Sequence, residues 1–283
     1  MSDLSPTPPA TRWLFALLGG LVSMAVVVGL AAVFVNTTPG QWVEQVALRG
    51  SELGRESVQP LTRFVLGLVS VPFLLAGAAA CAAVALVRRR WGDAIRVAVI
   101  VGGANLTTQV LKDVIERPAL LEEWKGMASY PSGHTTVAAS LAAVALLVAP
   151  RVARPAVALV GAGYMIATGV ATVSLAWHRP SDVVGAFAVV TAWSLLAMIP
   201  TRGARADGEP GTAGRVVVGW LLGALAVAGL AIGAVAAFVA ANAAAGAPAD
   251  ASATTYYLAY LSSSLGIVGA GCLAQWALLL ARR

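Results

Sequence analysis

Long apolar runs, separated by short polar stretches, make up most of the chain. Each run approaches or exceeds the about 20 residues that a helix needs to cross the hydrocarbon core of a bilayer. The pattern therefore predicts an all-α fold, a polytopic membrane helix bundle with about eight transmembrane helices. We expect these helices over residues 13–35, 61–87, 94–115, 132–148, 156–177, 181–199, 216–240 and 256–280.

The polar stretches divide the chain into five parts. Residues 1–12 predict a disordered cytoplasmic tail. Residues 13–60 predict the first transmembrane helix and an extracytoplasmic loop with one short amphipathic helix at the interface. Residues 61–200 form a central transmembrane bundle, residues 201–215 a cytoplasmic loop, and residues 216–283 two accessory C-terminal transmembrane helices. The first apolar run is too long for the core of a signal peptide, so we expect a retained anchor.

Composition agrees with a membrane protein and argues against two other classes. The chain is 59% hydrophobic and 11% charged, whereas soluble domains carry about 25% charged residues. The formal net charge of +6 does not indicate nucleic-acid binding, because the arginines fall mostly between apolar runs. Cys81 and Cys272 lie inside apolar runs, which predicts buried thiols and neither a disulfide nor a metal site.

The basic residues predict the orientation of the bundle. With eight helices, five basic clusters fall on one side: Arg12, Arg88 to Arg90, Arg151 with Arg154, Arg202 with Arg205, and Arg282 with Arg283. The positive-inside rule makes that side cytoplasmic, together with both termini. We expect an integral plasma membrane protein, and the preference for Ala, Val, Gly and Arg is typical of a GC-rich bacterial genome.

Four ionisable residues meet at the opposite, extracytoplasmic end in this topology. Lys112 lies near the end of the third helix, and His134 lies at the start of the fourth. His178 follows the fifth helix, and Asp182 begins the sixth. Ionisable groups at membrane helices are costly, so their convergence indicates a functional site.

The first half of this set has the features of an anion site with an acid. Pro131 fits the first turn of a helix, where an amide donor is not needed. The amides at Ser132 and Gly133 then belong to a helix N-terminus, which favours negative charge. His134 in the same turn is placed to donate a proton to a leaving oxygen.

The second half has the features of an activated nucleophile. Asp182 lies four residues after His178 and is expected to accept a hydrogen bond from its imidazole, which fixes the tautomer. Lys112 and Arg117 offer positive charge to phosphate oxygens.

These residues resemble the type 2 phosphatidic acid phosphatase superfamily of membrane lipid phosphatases. Its motifs are Lys-x6-Arg-Pro, Pro-Ser-Gly-His and Ser-Arg-x5-His-x3-Asp. Residues 131–134 match the second motif completely, His178 and Asp182 match the essential pair of the third, and Lys112 matches the first residue of the first. The resemblance extends from Lys112 to Asp182, roughly a quarter of the chain.

The resemblance implies a metal-independent phosphatase with a phosphohistidine intermediate and no cofactor, with residues 61–200 as the catalytic bundle. His178 would be the nucleophile, Asp182 would orient it, and His134 would protonate the leaving group. Ser132, Gly133 and Lys112 would hold the phosphoryl oxygens. The implied partners are membrane lipids and a lipid phosphate substrate in the outer leaflet, such as phosphatidate, phosphatidylglycerophosphate or a polyprenyl diphosphate.

Two motif arginines are missing from their expected positions. Ala119 and Leu120 stand where the first motif has Arg-Pro, and Thr172 stands where the third has Arg. Arg117, two residues early, and Arg179, next to His178, are the candidates that replace them as phosphate ligands.

The departures keep two other functions open. One is a lipid phosphotransferase that passes the phosphoryl group to a sugar or inositol alcohol, and the other is a non-enzymatic lipid-binding or transport protein. The sequence leaves the oligomeric state open.

Overall fold

The computed structural model describes residues 9–53, 55–67, 69–121, 129–199, 213–244 and 251–282. Every regular element in these ranges is helical, as the all-α prediction requires. The α-helices are α1 (Pro9–Leu30), α2 (Thr38–Glu52), α3 (Arg55–Gly67), α4 (Val71–Val87), α5 (Trp91–Val114), α6 (Gly133–Val148), α7 (Arg154–Ser174), α8 (Pro180–Ala197), α9 (Ala213–Ala244) and α10 (Ala253–Ala281). A π-helical turn, Ala31–Val35, continues α1.

The number of membrane spans is close to the predicted one. Among the described residues, six helical segments are long and apolar enough to cross a membrane. A seventh arises if Gln59–Gly67 and Val71–Val87, bent by 51° at their junction, form one span. α6 is also apolar but has only 16 residues. The polytopic membrane bundle is therefore confirmed, and eight is an approximate count.

The predicted loop between the first two spans is mostly helical. Residues 36–60 contain α2 and the start of α3. α2 packs on α10 and buries polar side chains, including Gln41, Glu44 and Gln45. The structure thus has two helices where the sequence predicted one, and the polar face of α2 packs against other parts of the chain. The position of α2 at the membrane interface stays a prediction. Of the predicted N-terminal tail, residues 9–12 are helical and residues 1–8 lie outside the described part. Most of the predicted cytoplasmic loop also lies outside it, because residues 200–212 are not described.

α6 and α8 form the centre of the bundle. In the most apolar 18-residue stretch of α8, 72% of the residues are buried, against 22% for α1 and α9. α8 contacts α1, α5, α6 and α10. α6 is rich in Ala, which allows neighbouring helices to approach closely. The two most enclosed helices therefore carry His134 and Asp182 in their first turns.

Polar side chains connect α5 to these central helices. The Asn105 side chain donates to Ser140 Oγ at 3.3 Å, and the hydroxyls of Thr108 and Thr136 lie 2.9 Å apart. The Trp193 indole of α8 donates to the α5 hydroxyl of Thr107 at 3.0 Å. Such bonds fix the depth of α5, and with it the level of Lys112, because hydrogen-bonding groups inside a membrane seek partners on adjacent helices.

Arginines at one end of the bundle bind the carbonyl oxygens of helix C-termini. Arg88 donates to the Val148 carbonyl at 3.0 Å, and Arg282 donates to the Leu147 carbonyl at 2.6 Å. Helix C-termini leave carbonyls unpaired and carry partial negative charge, so cations stabilise them. Buried Asp93 pairs with Arg282 at 3.6 Å and with further arginines of its own helix end.

The described members of the basic clusters therefore gather at one end, opposite Lys112 and the histidines. Arg154 extends the same group by donating to the Arg282 carbonyl at 2.9 Å. That this end faces the cytoplasm stays a prediction from the distribution of charge.

Close packing of glycines between α9 and α10 predicts a difference between two alanine substitutions. A Cβ at Gly229 would lie 2.8 Å from the backbone of Gly269, whereas a Cβ at Gly219 meets nothing within 4 Å. We expect Gly229→Ala to lower the free energy of unfolding by about 1–3 kcal/mol, as over-packing does. Gly219→Ala should be neutral or stabilising, because alanine favours helices by about 1 kcal/mol over glycine. Thermal denaturation in detergent compares them, and equal melting temperatures would contradict the packing argument.

Candidate active site

The first turn of α6 forms one side of the site. Ser132 is its N-cap, and the Ser132 hydroxyl accepts from the Thr135 amide at 3.4 Å. The Ser132 amide donates to the Asp182 carbonyl at 2.9 Å, which fixes the start of α6 against α8. A Cβ at Gly133 would lie 3.1 Å from Lys112 Nζ. The absence of that carbon lets the ammonium group approach the helix N-terminus, where an anion would bind.

The turn between α7 and α8 carries the second histidine. Ala176 adopts a left-handed conformation with φ 54°, which is uncommon for a residue with a side chain. This turn directs the amides of Trp177 and His178 to the Thr172 carbonyl, at 2.9 and 3.3 Å. His178 Nδ1 then lies 3.3 Å from Asp182 Oδ2, as the i, i+4 spacing predicts.

The two histidines occupy the same end of the bundle. The His134 ring lies 5.4 Å from the ring of Trp177, the neighbour of His178, with a tilt of 47°. The charges of His178 and Lys112 both act on His134. His134 is half-buried, whereas His178 is 8% exposed and Asp182 is fully buried. The structure therefore brings together the four residues that the sequence placed at one depth.

A cluster of buried charges supports Asp182 from behind. Arg117 Nη2 donates to Asp182 Oδ1 at 2.7 Å, and Arg117 Nη1 donates to Glu44 Oε2 at 3.2 Å. Arg179 Nη1 lies 4.0 Å from the same Glu44 oxygen. The Arg179 amide donates to Asp182 Oδ2 at 2.9 Å. Two carboxylates and two guanidinium groups thus make a formally neutral cluster, which is the arrangement that buried ions require.

Burial changes the proton affinity of several groups around this cluster. Burial, and then the charge of Asp182, raises the pKa of Glu44 to about 7, although Arg117 opposes the shift. Burial, and then the charge of Arg117, lowers the pKa of Arg179 to about 10, which leaves it charged at neutral pH. Burial also raises the pKa of Tyr130, so its hydroxyl stays a donor. Among these three groups, Glu44 is the one that titrates near neutral pH.

The comparisons with known proteins bear on this arrangement. A family model described as the PAP2 superfamily matches residues 93–204. The predicted family resemblance is confirmed. Among solved structures, the chain is similar to the crystal structure of the first transmembrane PAP2 type phosphatidylglycerolphosphate phosphatase from Bacillus subtilis. The match has a TM-score of 0.52 and 22% identity, and it covers 64% of this chain and 93% of that chain.

At that identity, the likeness to the Bacillus subtilis structure concerns the fold alone. No curated protein matches the chain significantly. The PAP2 region, residues 93–204, contains α5 to α8 and with them Lys112, both histidines and Asp182. Glu44 and α2 lie outside it.

Two positions at which the PAP2 motifs have arginine carry other residues in this chain, Ala119 and Thr172. Ala119 is exposed. Thr172 is fully buried; its hydroxyl donates to the Gly169 carbonyl at 2.7 Å, and its own carbonyl receives the amides of the turn before His178. The structure places Arg117 and Arg179 against carboxylates, and their predicted binding of phosphate stays a prediction.

The sequence does not predict three residues that hold the candidate site in place. The sequence predicts that Glu44 lies in the extracytoplasmic loop within residues 13–60, and it assigns no role to Gln41 or Tyr130. Gln41 Nε2 donates to the carbonyls of Val35 and Pro118, both at 2.7 Å. Gln41 and Glu44 are three residues apart and thus on one helix face, which was the available signal for a buried polar face.

Tyr130 ties the loop that carries His134 to α1. Its hydroxyl donates to the Val27 carbonyl at 2.7 Å, and its ring packs where Gly185 of α8 has no side chain. We expect Tyr130→Phe to lower the free energy of unfolding by about 1 kcal/mol, the usual net value of one such bond. Thermal denaturation would show a lower melting temperature than Tyr257→Phe, a control whose ring is 48% exposed. A melting temperature equal to that of the control would mean that the bond contributes no stability.

Proposed function

We propose that the chain is a membrane lipid phosphatase that hydrolyses a lipid phosphate or polyprenyl diphosphate through a phosphohistidine at His178. The PAP2 match supports a phosphatase in general. The observation that carries the specific mechanism is the His178–Asp182 hydrogen bond at the same end of the bundle as His134 and the N-terminus of α6.

The first chemical step requires a neutral His178 with its proton on Nδ1. The Nδ1–H group donates a hydrogen bond to Asp182, and because the proton is held on Nδ1, the Nε2 lone pair is available for attack. Attack on phosphorus forms the N–P bond and breaks the bond between phosphorus and the leaving oxygen. His134, protonated at the outset, gives its proton to that oxygen.

The second step regenerates the enzyme with water. His134, now neutral, accepts a proton from water while the water oxygen attacks phosphorus. The N–P bond breaks, inorganic phosphate leaves, and His178 regains its lone pair. The same group serves as acid and then as base because each step returns His134 to the state that the other step needs.

Phosphoryl oxygens are proposed to bind at the start of α6. The amides of a helix's first turn have no intrahelical acceptor, and the helix dipole favours an anion there. Lys112 adds a full positive charge beside Gly133. Removal of one donor from such a site typically lowers the rate by about a hundredfold or more. This is the reason for assigning Gly133 and Lys112 to the phosphate. The Ser132 amide already donates to the Asp182 carbonyl, so Ser132 is proposed to bind phosphate through its hydroxyl.

The location of the site at the helix ends suits a substrate whose phosphate lies at the membrane surface. The apolar runs place the acyl or prenyl chain of such a substrate in the bilayer beside the helices. The charge distribution assigns this end to the extracytoplasmic side, so the proposed substrate is in the outer leaflet.

The test of this function is phosphate release from a panel of lipid phosphates by the purified chain. We expect release from at least one member by the wild type and a loss of about 10³-fold or more in His178→Ala, because the nucleophile is gone. Phosphatidate, phosphatidylglycerophosphate and a polyprenyl diphosphate form the panel. A new phosphodiester instead of free phosphate would indicate the phosphotransferase. Full activity in His178→Ala would reject the assigned nucleophile.

The proposed intermediate predicts a covalent label. Rapid quenching during turnover of a substrate with radioactive phosphorus should leave label on the protein that is stable in alkali and labile in acid, as an N–P bond is. The label should be absent in His178→Ala. In His134→Gln it should accumulate with a substrate whose leaving group needs no proton, because the base for the second step is missing. Label that survives in His178→Ala would assign the nucleophile to another residue.

A further inference from the structure

α2 covers the N-terminus of α8 and is held there at several points. A Cβ at Gly40 or at Gly50 would collide with the backbone of Val33 or of Tyr256, so α2 lies in direct contact with the end of α1 and the start of α10. Gln41 binds the Val35 and Pro118 carbonyls. The helix is thus fixed relative to the loop that carries Arg117.

Both carboxylate oxygens of Glu44 have defined partners from distant parts of the chain. Oε1 accepts from the Ser181 amide at 2.8 Å, and Oε2 accepts from Arg117 Nη1 at 3.2 Å. Ser181 belongs to the first turn of α8, where helix geometry leaves amides unpaired and favours a negative group. Glu44 therefore caps α8 from another helix, in addition to the capping of the Arg179 amide by Asp182.

The position of Arg117 determines what Asp182 offers to His178. Asp182 Oδ1 binds Arg117, which leaves Oδ2 for the Arg179 amide and for His178 Nδ1. If Arg117 were not also held by Glu44, its full charge would act on Asp182 and weaken the acceptor that faces His178. Glu44 is 2% exposed, so water does not provide a substitute partner.

We propose that Glu44 is a positioning residue for the nucleophile: it divides the charge of Arg117 between two carboxylates and fixes the start of α8, so that Asp182 keeps one oxygen for His178. The inference rests on the proposed function for its kinetic consequences. Its structural consequence, the state of the His178 ring, does not depend on any substrate. Glu44 and α2 lie outside the residues that match the PAP2 family.

The pH dependence distinguishes a positioning role from a merely structural one. Several charged or titratable groups interact electrostatically with Glu44: Arg117, Arg179, Asp182 and Tyr130. Burial raises the pKa of Glu44 to about 7, so its ion pair with Arg117 forms as pH rises through that value. Protonated Glu44 and a glutamine are both neutral and of similar shape, so they should behave alike at low pH.

The kinetic experiment therefore measures kcat/KM of the wild type and of Glu44→Gln across pH, with the best substrate of the lipid panel. The quantity compared is the wild-type value divided by the Glu44→Gln value. We expect a ratio near one at about pH 5.5 that increases to between about tenfold and a hundredfold at about pH 8.5. Glu44→Asp, which retains the charge, should recover part of the loss at high pH.

The matched control is Glu52→Gln on the same helix, whose side chain is 63% exposed. Its ratio should stay near one at every pH. A Glu44→Gln ratio that is far from one but constant with pH would assign Glu44 a structural role only and would overturn the proposal.

The second measurement uses the fact that the chain has two histidines. Labelling with ¹⁵N-histidine, with a purification tag free of histidine, gives resonances from His134 and His178, and His134→Gln assigns them. We expect one tautomer of His178 in the wild type and in Glu52→Gln, with the proton on Nδ1. In Glu44→Gln, the second tautomer should appear as the bond to Asp182 weakens.

The two measurements separate the failure of this inference from the failure of the proposed function. A wild type that releases no phosphate from any lipid, with a tautomer change in Glu44→Gln, would reject the function and retain the positioning role. A His178 spectrum unchanged by Glu44→Gln, in a protein that elutes as the wild type does on gel filtration, would overturn the role of Glu44 whatever the activity.

Discussion

The carboxylate of Asp182 is the interaction on which the rest of the site depends. It is fully buried, and it joins two separate segments: the loop after α5 through Arg117, and the turn before α8 through the Arg179 amide and the imidazole of His178. Its backbone carbonyl also receives the Ser132 amide at the start of α6. A single residue therefore fixes His178 and the N-terminus of α6 relative to each other. A buried carboxylate is tolerated only with such a complete set of partners.

The two ends of the bundle use charge in opposite ways. At the basic end, guanidinium groups bind carbonyls of helix C-termini, and the result is a closed, structural network around Asp93. At the other end, the N-termini of α6 and α8 leave amides that favour anions. At the start of α8, the carboxylates of Asp182 and Glu44 accept hydrogen bonds from the amides of Arg179 and Ser181. The first turn of α6 instead faces the ammonium group of Lys112. The direction of the helices thus separates the end that stabilises the fold from the end that is suited to bind phosphate.

The sequence predicted the helices and the central residues because both are local signals. Apolar runs gave the spans, and the i, i+4 spacing gave the His178–Asp182 bond. Glu44 was not predicted as part of the site, because its partner Ser181 is 137 positions away and the polar face that Glu44 shares with Gln41 does not indicate what covers it. The same holds for Arg117: its charge suggested a phosphate ligand, but the tertiary structure supplied two carboxylates. Polar helix faces in a membrane protein indicate burial without indicating the partner.

The long separation between Glu44 and Ser181 has a consequence for biosynthesis. α2 emerges from the ribosome before α8, so the Glu44 carboxylate is made 137 positions ahead of its partner Ser181. Contacts of high sequence separation form late because loop closure must precede them. The surroundings of His178 are therefore completed only when the N-terminal helices and the rest of the bundle have met, which couples the formation of the candidate site to the last steps of assembly in the membrane.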